Sequence, residues 1–399
     1  MRSFPVPLIL LCGCAIAFVG LGERSAFGLF QTDMVAARPW EREAFALAFA
    51  IQNLMWGIGQ PIAGALADRY GTMRVLMGGA ICYALGIIGT AQLESEMALY
   101  IMFGVVVGLG CAASSFTIVL SAFGRSVTPA RRSMAFGLGT AAGSLGMFAF
   151  GPLGAVLVAQ SGWYTALVAF AGIAMVMVLL AIPLQGRAEP KAEAGPGSVS
   201  KAVREAFAYR SYVLLAIGFF VCGFHVAFIL AHMPAFLRDL GFGPQLGGIS
   251  LALIGLFNVI GSLASGAVGQ RFSKPYSLAV LYLARSAAIV VFLLTPITPA
   301  SVLIFSIVMG LLWLSTVPLT SGLVAVMFGP RYMATLFGIV FLSHQVGSFA
   351  GVWLGGVIYA QTGSYDLLWW IGVALGVFAA LVHLPIKDAP APRLAGAPA

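Results

Sequence analysis

The sequence predicts an all-α polytopic membrane protein, with twelve transmembrane helices arranged as two parallel six-helix repeats. Three observations predict it. Twelve apolar stretches, each long enough to cross a bilayer, fill the 399-residue chain almost completely. Hydrophobic residues make up 60% of it and charged residues 9%, against roughly 45 to 50% and about 25% in a soluble domain. The second half also partly repeats the first. The hydrocarbon layer is about 30 Å thick, so a spanning helix needs ~20 apolar residues. Without water to satisfy backbone groups, only helices or closed barrels cross it, and these runs are continuous rather than alternating, as helices are.

The first span, 6–30, has only Arg2 ahead of it and no small-residue cleavage site, which reads as a retained helix rather than a removed signal. Spans 2 to 6 follow at 44–66, 74–92, 98–123, 132–159 and 163–184. The longest polar segment, Gln185 to Arg210, carries Pro190, Gly195, Pro196 and mixed charges, as a linker does. Spans 7 to 12 are predicted at 211–236, 247–269, 276–295, 300–327, 332–360 and 366–385. The chain therefore divides into a six-helix half at 1–184, a cytoplasmic linker at 185–210 and a second half at 211–399. Cys12, Cys14, Cys82, Cys111 and Cys222 all fall within spans, with neither a disulfide framework nor metal-ligand spacing, and read as packing residues.

The duplication is visible residue by residue. Phe136, Gly137, Gly146, Leu153, Gly154, Ala159, Gln160 and Gly162 recur 201 positions later as Phe337, Gly338, Gly347, Leu354, Gly355, Ala360, Gln361 and Gly363. Gly64, Ala65 and Arg69 recur 202 positions later as Gly266, Ala267 and Arg271. Six spans return each half to the same membrane face, so the repeats are parallel. With both termini cytoplasmic, sixteen lysines and arginines fall on the cytoplasmic side and three, Arg38, Arg42 and Arg238, on the other. That is a positive-inside bias. It accounts for the formal charge of +8 without nucleic acid, because no compact basic domain exists to bind a duplex.

Two parallel six-helix halves are the plan of the major facilitator superfamily. The loop between spans 2 and 3, Gly64-Ala65-Leu66-Ala67-Asp68-Arg69-Tyr70-Gly71-Thr72-Met73-Arg74, resembles that superfamily's signature G-x-x-x-D-R-x-G-x-R. Glycine there lets helices approach, and the carboxylate can pair with arginines or with a facing helix N-terminus. The alternative is a solvated turn with a surface ion pair. The second copy has Gln270 where Asp68 stands. Within the superfamily, Arg131-Arg132-Ser133-Met134-Ala135-Phe136-Gly137-Leu138-Gly139-Thr140-Ala141-Ala142-Gly143 resembles the fifth-span signature of the monocarboxylate transporter and oxalate:formate antiporter group. Arg24 falls where that group places a first-span lysine that engages substrate or proton. Two features of the group are missing: its acidic first-span entry motif, and its eighth-span Asp/Arg pair, near whose places stand Asn258 and Ser262. The resemblance implies a fold that works as a single chain, with Gly64, Asp68, Arg69, Gly71, Arg74, Arg131 and Arg132 serving gating.

Ionisable residues inside a bilayer cost at least ~2.5 to 3.5 kcal/mol at a helix centre and are functional candidates by default. Glu23 and Arg24 lie in span 1, His225 and His232 in span 7, Arg285 in span 9 and His344 in span 11. Successive helical residues stand about 100° apart, so Glu23 and Arg24 cannot both face one cavity. Arg24 either binds substrate or forms a structural pair with Glu23 or the backbone. Arg285 either binds substrate, partners helix-end carbonyls or snorkels. His225 and His232 share nearly one azimuth and either accept a proton or hydrogen-bond a carboxylate, or pack helices. His344-Gln345 is polar where its twin Gly143-Ser144 is small, which suggests cavity lining or one interhelical bond. Asn53 and Asn258 add neutral donors and acceptors, while Glu23, Asp33 and the two span-7 histidines are the candidates for proton coupling.

Two arginines and three histidines against one intramembrane acid favour an anion in the pathway, and an arginine fork holds a carboxylate bidentately. The expected function is alternating-access transport of a small organic anion, a monocarboxylate first, across a bacterial inner membrane, either proton-coupled or by anion exchange. The alternative is a proton-driven exporter of drugs or lipophilic metabolites, which would use Glu23. No nucleophile with a base, phosphate loop or metal cluster emerges, so neither an enzyme nor a cofactor or metal is expected.

Overall fold

The fold is described from a computed structural model covering residues 4–38, 40, 42–186 and 199–391. Ten helices among the described residues are long and apolar enough to cross a membrane. One of them, Pro129–Leu180, holds both spans 5 and 6. Span 2 is the further long helix Arg42–Tyr70, which Gln52, Asn53 and Gln60 make less apolar than the other spans. Together these account for the twelve predicted spans.

Spans 5 and 6 form a single helical run, 132–180, broken only at Gly162, where φ is 76° and ψ is 162°. Its repeat partner Gly363 has φ 68° and closes span 11, Met333–Thr362. The duplicated Ala-Gln-x-Gly ends therefore mark the same left-handed turn in both copies, a conformation that costs any side-chain-bearing residue about 1 to 2 kcal/mol. Span 1 runs Val6–Ala26, tightens into a 3-10 turn at Phe27–Phe30 and continues as the short helix Gln31–Ala37. Asp33 lies in that extension and is exposed. The predicted linker contains a helix, Val199–Ala208, whose Ala202 and Ala206 are buried. The remainder of the linker, 187–198, lies outside the described residues.

Spans 4 and 10 are each interrupted. Span 4 passes through a π-helical stretch, Tyr100–Val106, into Val107–Ala113, breaks at Ser114–Ser115 and resumes as Phe116–Ser126. Span 10 runs Pro299–Leu312, breaks through Trp313–Ser315 and resumes as Thr316–Phe328. Ser114 and Ser315 stand 201 positions apart, the offset of the repeat. Spans 3, 7, 8, 9 and 12 are Thr72–Gln92, Arg210–Asp239, Pro244–Arg271, Lys274–Leu294 and Asp366–His383.

The chain folds as two compact units. The first comprises Met1–Pro129, Ala142–Ala202 and Pro330–Ile339, and the second Ala130–Ala141, Val203–Gly329 and Val340–Ala399. The units are thus less contiguous than the expected halves: ten residues at the start of span 11 join the first, and twelve around the start of span 5 join the second. Small residues allow this. Gly64 in span 2 lies so close to Ala334 and Thr335 that a Cβ would stand 2.7 Å from the Thr335 amide nitrogen. In the second unit, a Cβ on Gly137 would stand 2.7 Å from the Ser262 carbonyl oxygen.

Candidate functional site

In the first unit, spans 1 to 4 converge on a narrow cavity with about 10 Å³ of free volume, lined by Arg24, Trp56, Tyr83, Cys111, Ser114 and Ser115 among others. That volume is about what one water molecule needs. Arg24 is only partly buried. Its guanidinium sits 4.5 Å from the Trp56 ring centre and 5.6 Å from that of Phe49, and its Nη2 donates to Asn53 Oδ1. Asn53 is itself oriented by donating from Nδ2 to the Phe49 carbonyl at 2.9 Å. Trp56 is fixed by its indole N–H donating to Gln60 Oε1 at 3.2 Å. Aromatic faces and a neutral amide thus hold the cation without cancelling its charge.

Glu23 turns away. It is fully buried, and neither carboxyl oxygen has a hydrogen-bond partner among the described residues, so no Glu23–Arg24 ion pair ties up the arginine. Tyr83, also buried with its hydroxyl lacking a partner among the described residues, lines the cavity and lies within electrostatic reach of both Glu23 and Arg24. Neither Tyr83 nor Trp56 stands out in the sequence. The usable signal was the polar pair Ser114–Ser115 inside an apolar run, which marks the helix break that brings spans 1, 3 and 4 around one space.

The second unit uses its polar groups differently. Arg285 is fully buried. It donates from Nε and Nη2 to the Leu312 carbonyl at 3.1 and 2.6 Å, and from Nη2 to the Trp313 carbonyl. These are carbonyls freed where span 10 breaks. Asn258 Oδ1 accepts from the Leu314 amide at 2.9 Å and from the Ser262 hydroxyl at 3.3 Å, and Ser265 donates to the Ser315 carbonyl. Of the readings open for Arg285, the structure places it as the partner of helix-end carbonyls. Interrupted membrane helices need such partners because lipid offers none.

The two span-7 histidines also bond to backbone. His225, fully buried, reaches the Gly372 carbonyl of span 12 at 2.7 Å, and His232 reaches the Val352 carbonyl of span 11 at 3.0 Å. A shared azimuth therefore leads them to two different neighbours, not to one site. His344 lies 3.2 Å from Gln345 Oε1, stacks on Phe341 with ring centres 5.3 Å apart, and packs against Phe219. Cys222, read from the sequence as a packing residue, is fully buried and meets the Thr316 hydroxyl at 3.1 Å.

The loop residues expected to gate fall into two groups. Asp68 Oδ2 accepts from the Thr335 amide at 2.9 Å and its hydroxyl at 2.7 Å, placing the carboxylate on the first turn of span 11, where the helix dipole favours an anion. Gly71, with φ 98°, makes the tight turn into span 3. Arg69 covers the Tyr70 ring at 5.1 Å, while Arg74 and Arg131 are exposed and Arg132 is half-buried. Gln270, the counterpart of Asp68, is exposed.

The family model for the Major Facilitator Superfamily matches residues 12–352. An uncharacterised MFS-type transporter of Bacillus subtilis (strain 168), YcxA, is 24% identical over 412 aligned positions, covering 97% of each chain. Monocarboxylate transporter 13 of Bos taurus is 26% identical over 382 positions, covering 92% of this chain and 87% of the relative. The solved structure of the major facilitator transporter FucP in its outward conformation superposes with a TM-score of 0.75 at 16% identity, covering 96% of this chain and 99% of that one.

Proposed function

This chain belongs to the major facilitator superfamily and is a membrane transporter rather than an enzyme; we propose that it carries a small organic monocarboxylate by alternating access, with Arg24 as the anchor for the carboxylate. One observation carries this reading. Arg24 faces a cavity with its charge uncancelled, while Arg285 is enclosed and bonded to backbone carbonyls. A guanidinium over an indole presents its remaining N–H edge to an incoming anion, and its charge cannot titrate away. The likeness to a monocarboxylate transporter over 92% of the chain points to the same substrate class.

Glu23 is the acid placed to couple transport to a proton, because a carboxyl with no ion-pair partner can take up and release one without breaking a salt bridge. Asp33, exposed beyond span 1, is poorly sited for that task. The positive-inside bias supports cytoplasmic termini, in a bacterial inner membrane.

The test is thermal stabilisation of the purified protein by mono- and dicarboxylates, aromatic acids and lipophilic cations. A ligand at a hundredfold excess over its Kd stabilises by about 2.7 kcal/mol. Stabilisation by monocarboxylates that vanishes in Arg24→Ala is the expected result. Stabilisation by lipophilic cations alone would overturn the reading in favour of an exporter and make Glu23 its binding residue.

A further inference from the structure

A second cavity, about 650 Å³, lies within the second unit between spans 8 and 9. Ala264, Val268 and Phe272 form one wall, Tyr276 and Val280 the other, and Leu311 of span 10 lies at the floor beside the helix break. Phe272, Tyr276 and Val280 are 65%, 61% and 64% exposed, so the groove opens away from its own helices. In a membrane-spanning chain such walls face hydrocarbon, and an apolar space of this size holds a chain of methylenes rather than water.

The two ends of the groove differ. At one end Ser315 is buried and Leu311 half-buried. The other is the turn from span 8 into span 9, where Arg271, exposed, immediately precedes the wall residue Phe272. Nearby Lys274 is neutralised: its backbone amide donates to Asp388 Oδ2 at 3.1 Å and its ammonium lies 3.5 Å from Asp388 Oδ1. Arg271, next in sequence to the wall residue Phe272 and exposed, is therefore the uncompensated cation beside that end of the groove. Basic residues beside interhelical grooves are suited to anionic headgroups.

We propose that this groove seats one acyl chain of an anionic phospholipid, with its phosphate at Arg271. The lipid would pack behind the break of span 10, on the Leu311 and Ser315 side, and would brace that segment from the membrane. The inference rests on the chain crossing a bilayer and not on the identity of the transported substrate.

Native mass spectrometry of the full-length protein, exchanged into micelles holding equal amounts of phosphatidylglycerol and phosphatidylcholine, tests this. Wild type should retain one phosphatidylglycerol with about a fivefold preference, the worth of one arginine beside an anionic lipid. Arg271→Gln should erase the preference while lipid still binds. Val280→Trp, at an exposed position where the fold tolerates bulk, should fill the groove and lose the bound lipid; Ala264→Leu provides a second filling variant if the first fails to fold. Equal retention of both lipids by wild type, or undiminished retention in a folded filling variant, would overturn the proposal. So would a lipophilic cation that stabilises wild type but not Val280→Trp, since the groove would then be a port for substrate.

Discussion

Spans 4 and 10 break at matching places in the repeat, and an arginine stands beside each break, yet the two arginines come from different spans and serve different ends. In the first unit Arg24 reaches from span 1 into the cavity at Ser114–Ser115, held by Asn53 and Trp56. In the second, Arg285 reaches from span 9 and satisfies the Leu312 and Trp313 carbonyls. Gly146 packs on the Phe18 carbonyl of span 1 and its repeat partner Gly347 on the Phe220 carbonyl of span 7, 202 positions beyond Phe18. At that offset His225, whose ring is bonded to Gly372, takes the place of buried Glu23, and Val226 that of Arg24. The repeat position of Trp56 is occupied by Asn258, which accepts from the Leu314 amide. In one copy the arginine lines a cavity, and in the other the polar groups are turned to backbone. An intramembrane arginine thus marks a binding site only where its donors are not already taken by the fold.

The largest expected effect separates the two arginines directly. Arg24→Ala should lower carboxylate transport in proteoliposomes roughly 30-fold or more, since losing a partly desolvated charged anchor costs about 2 to 5 kcal/mol, while the melting temperature stays near wild type. Arg24→Lys should recover only part of the activity, for want of the fork. Normal uptake by well-folded Arg24→Ala would remove the contrast altogether.

Arg285→Ala should do the reverse and destabilise the protein by about 2 to 4 kcal/mol, because two buried carbonyls lose their donors. Thermal unfolding in detergent reads this. If Arg285→Ala melts like wild type but fails to bind carboxylate, Arg285 belongs to the substrate site and the comparison collapses. Asn258→Ala should cost about 1 to 3 kcal/mol by orphaning the Leu314 amide, with little change in the apparent affinity for substrate.

The smallest effects compare the two loops. Asp68→Asn keeps an acceptor for Thr335 but removes the charge at the start of span 11, an expected loss of about 1 kcal/mol. Placing the charge in the other copy, Gln270→Asp, should change stability by less than about 0.5 kcal/mol, as for other exposed sites. A gain as large as the Asp68 loss would show that the second loop can form the same contact.

Much of the fold was legible because bilayers leave few choices. Apolar run length alone located the spans, and the repeated Ala-Gln-x-Gly ends located a turn that proved left-handed at both Gly162 and Gly363. The helix Val199–Ala208 in the polar linker was not anticipated, since a short amphipathic stretch just after Pro190, Gly195 and Pro196 reads as a loop. Of the site, the intramembrane charges were identifiable by cost, and the 100° step between neighbours keeps Glu23 and Arg24 from sharing one wall. Their partners were not identifiable. Nothing in the order of residues says that His225 and His232 face different helices, or that Asn258 and Arg285, 27 positions apart, serve one break.

The sequence by itself determined that the chain spans a membrane, how many times, and that its halves descend from a common unit, because hydrophobic length and duplicated residues are properties of the chain read in order. Tertiary structure decided which polar groups remain available. Breaking a helix inside lipid frees backbone carbonyls and amides that must find partners, and whichever side chain lies nearest in space, from whatever span, is drawn to them. In the second unit those partners are Arg285 and Asn258, and in the first Arg24 stays on the wall of its cavity.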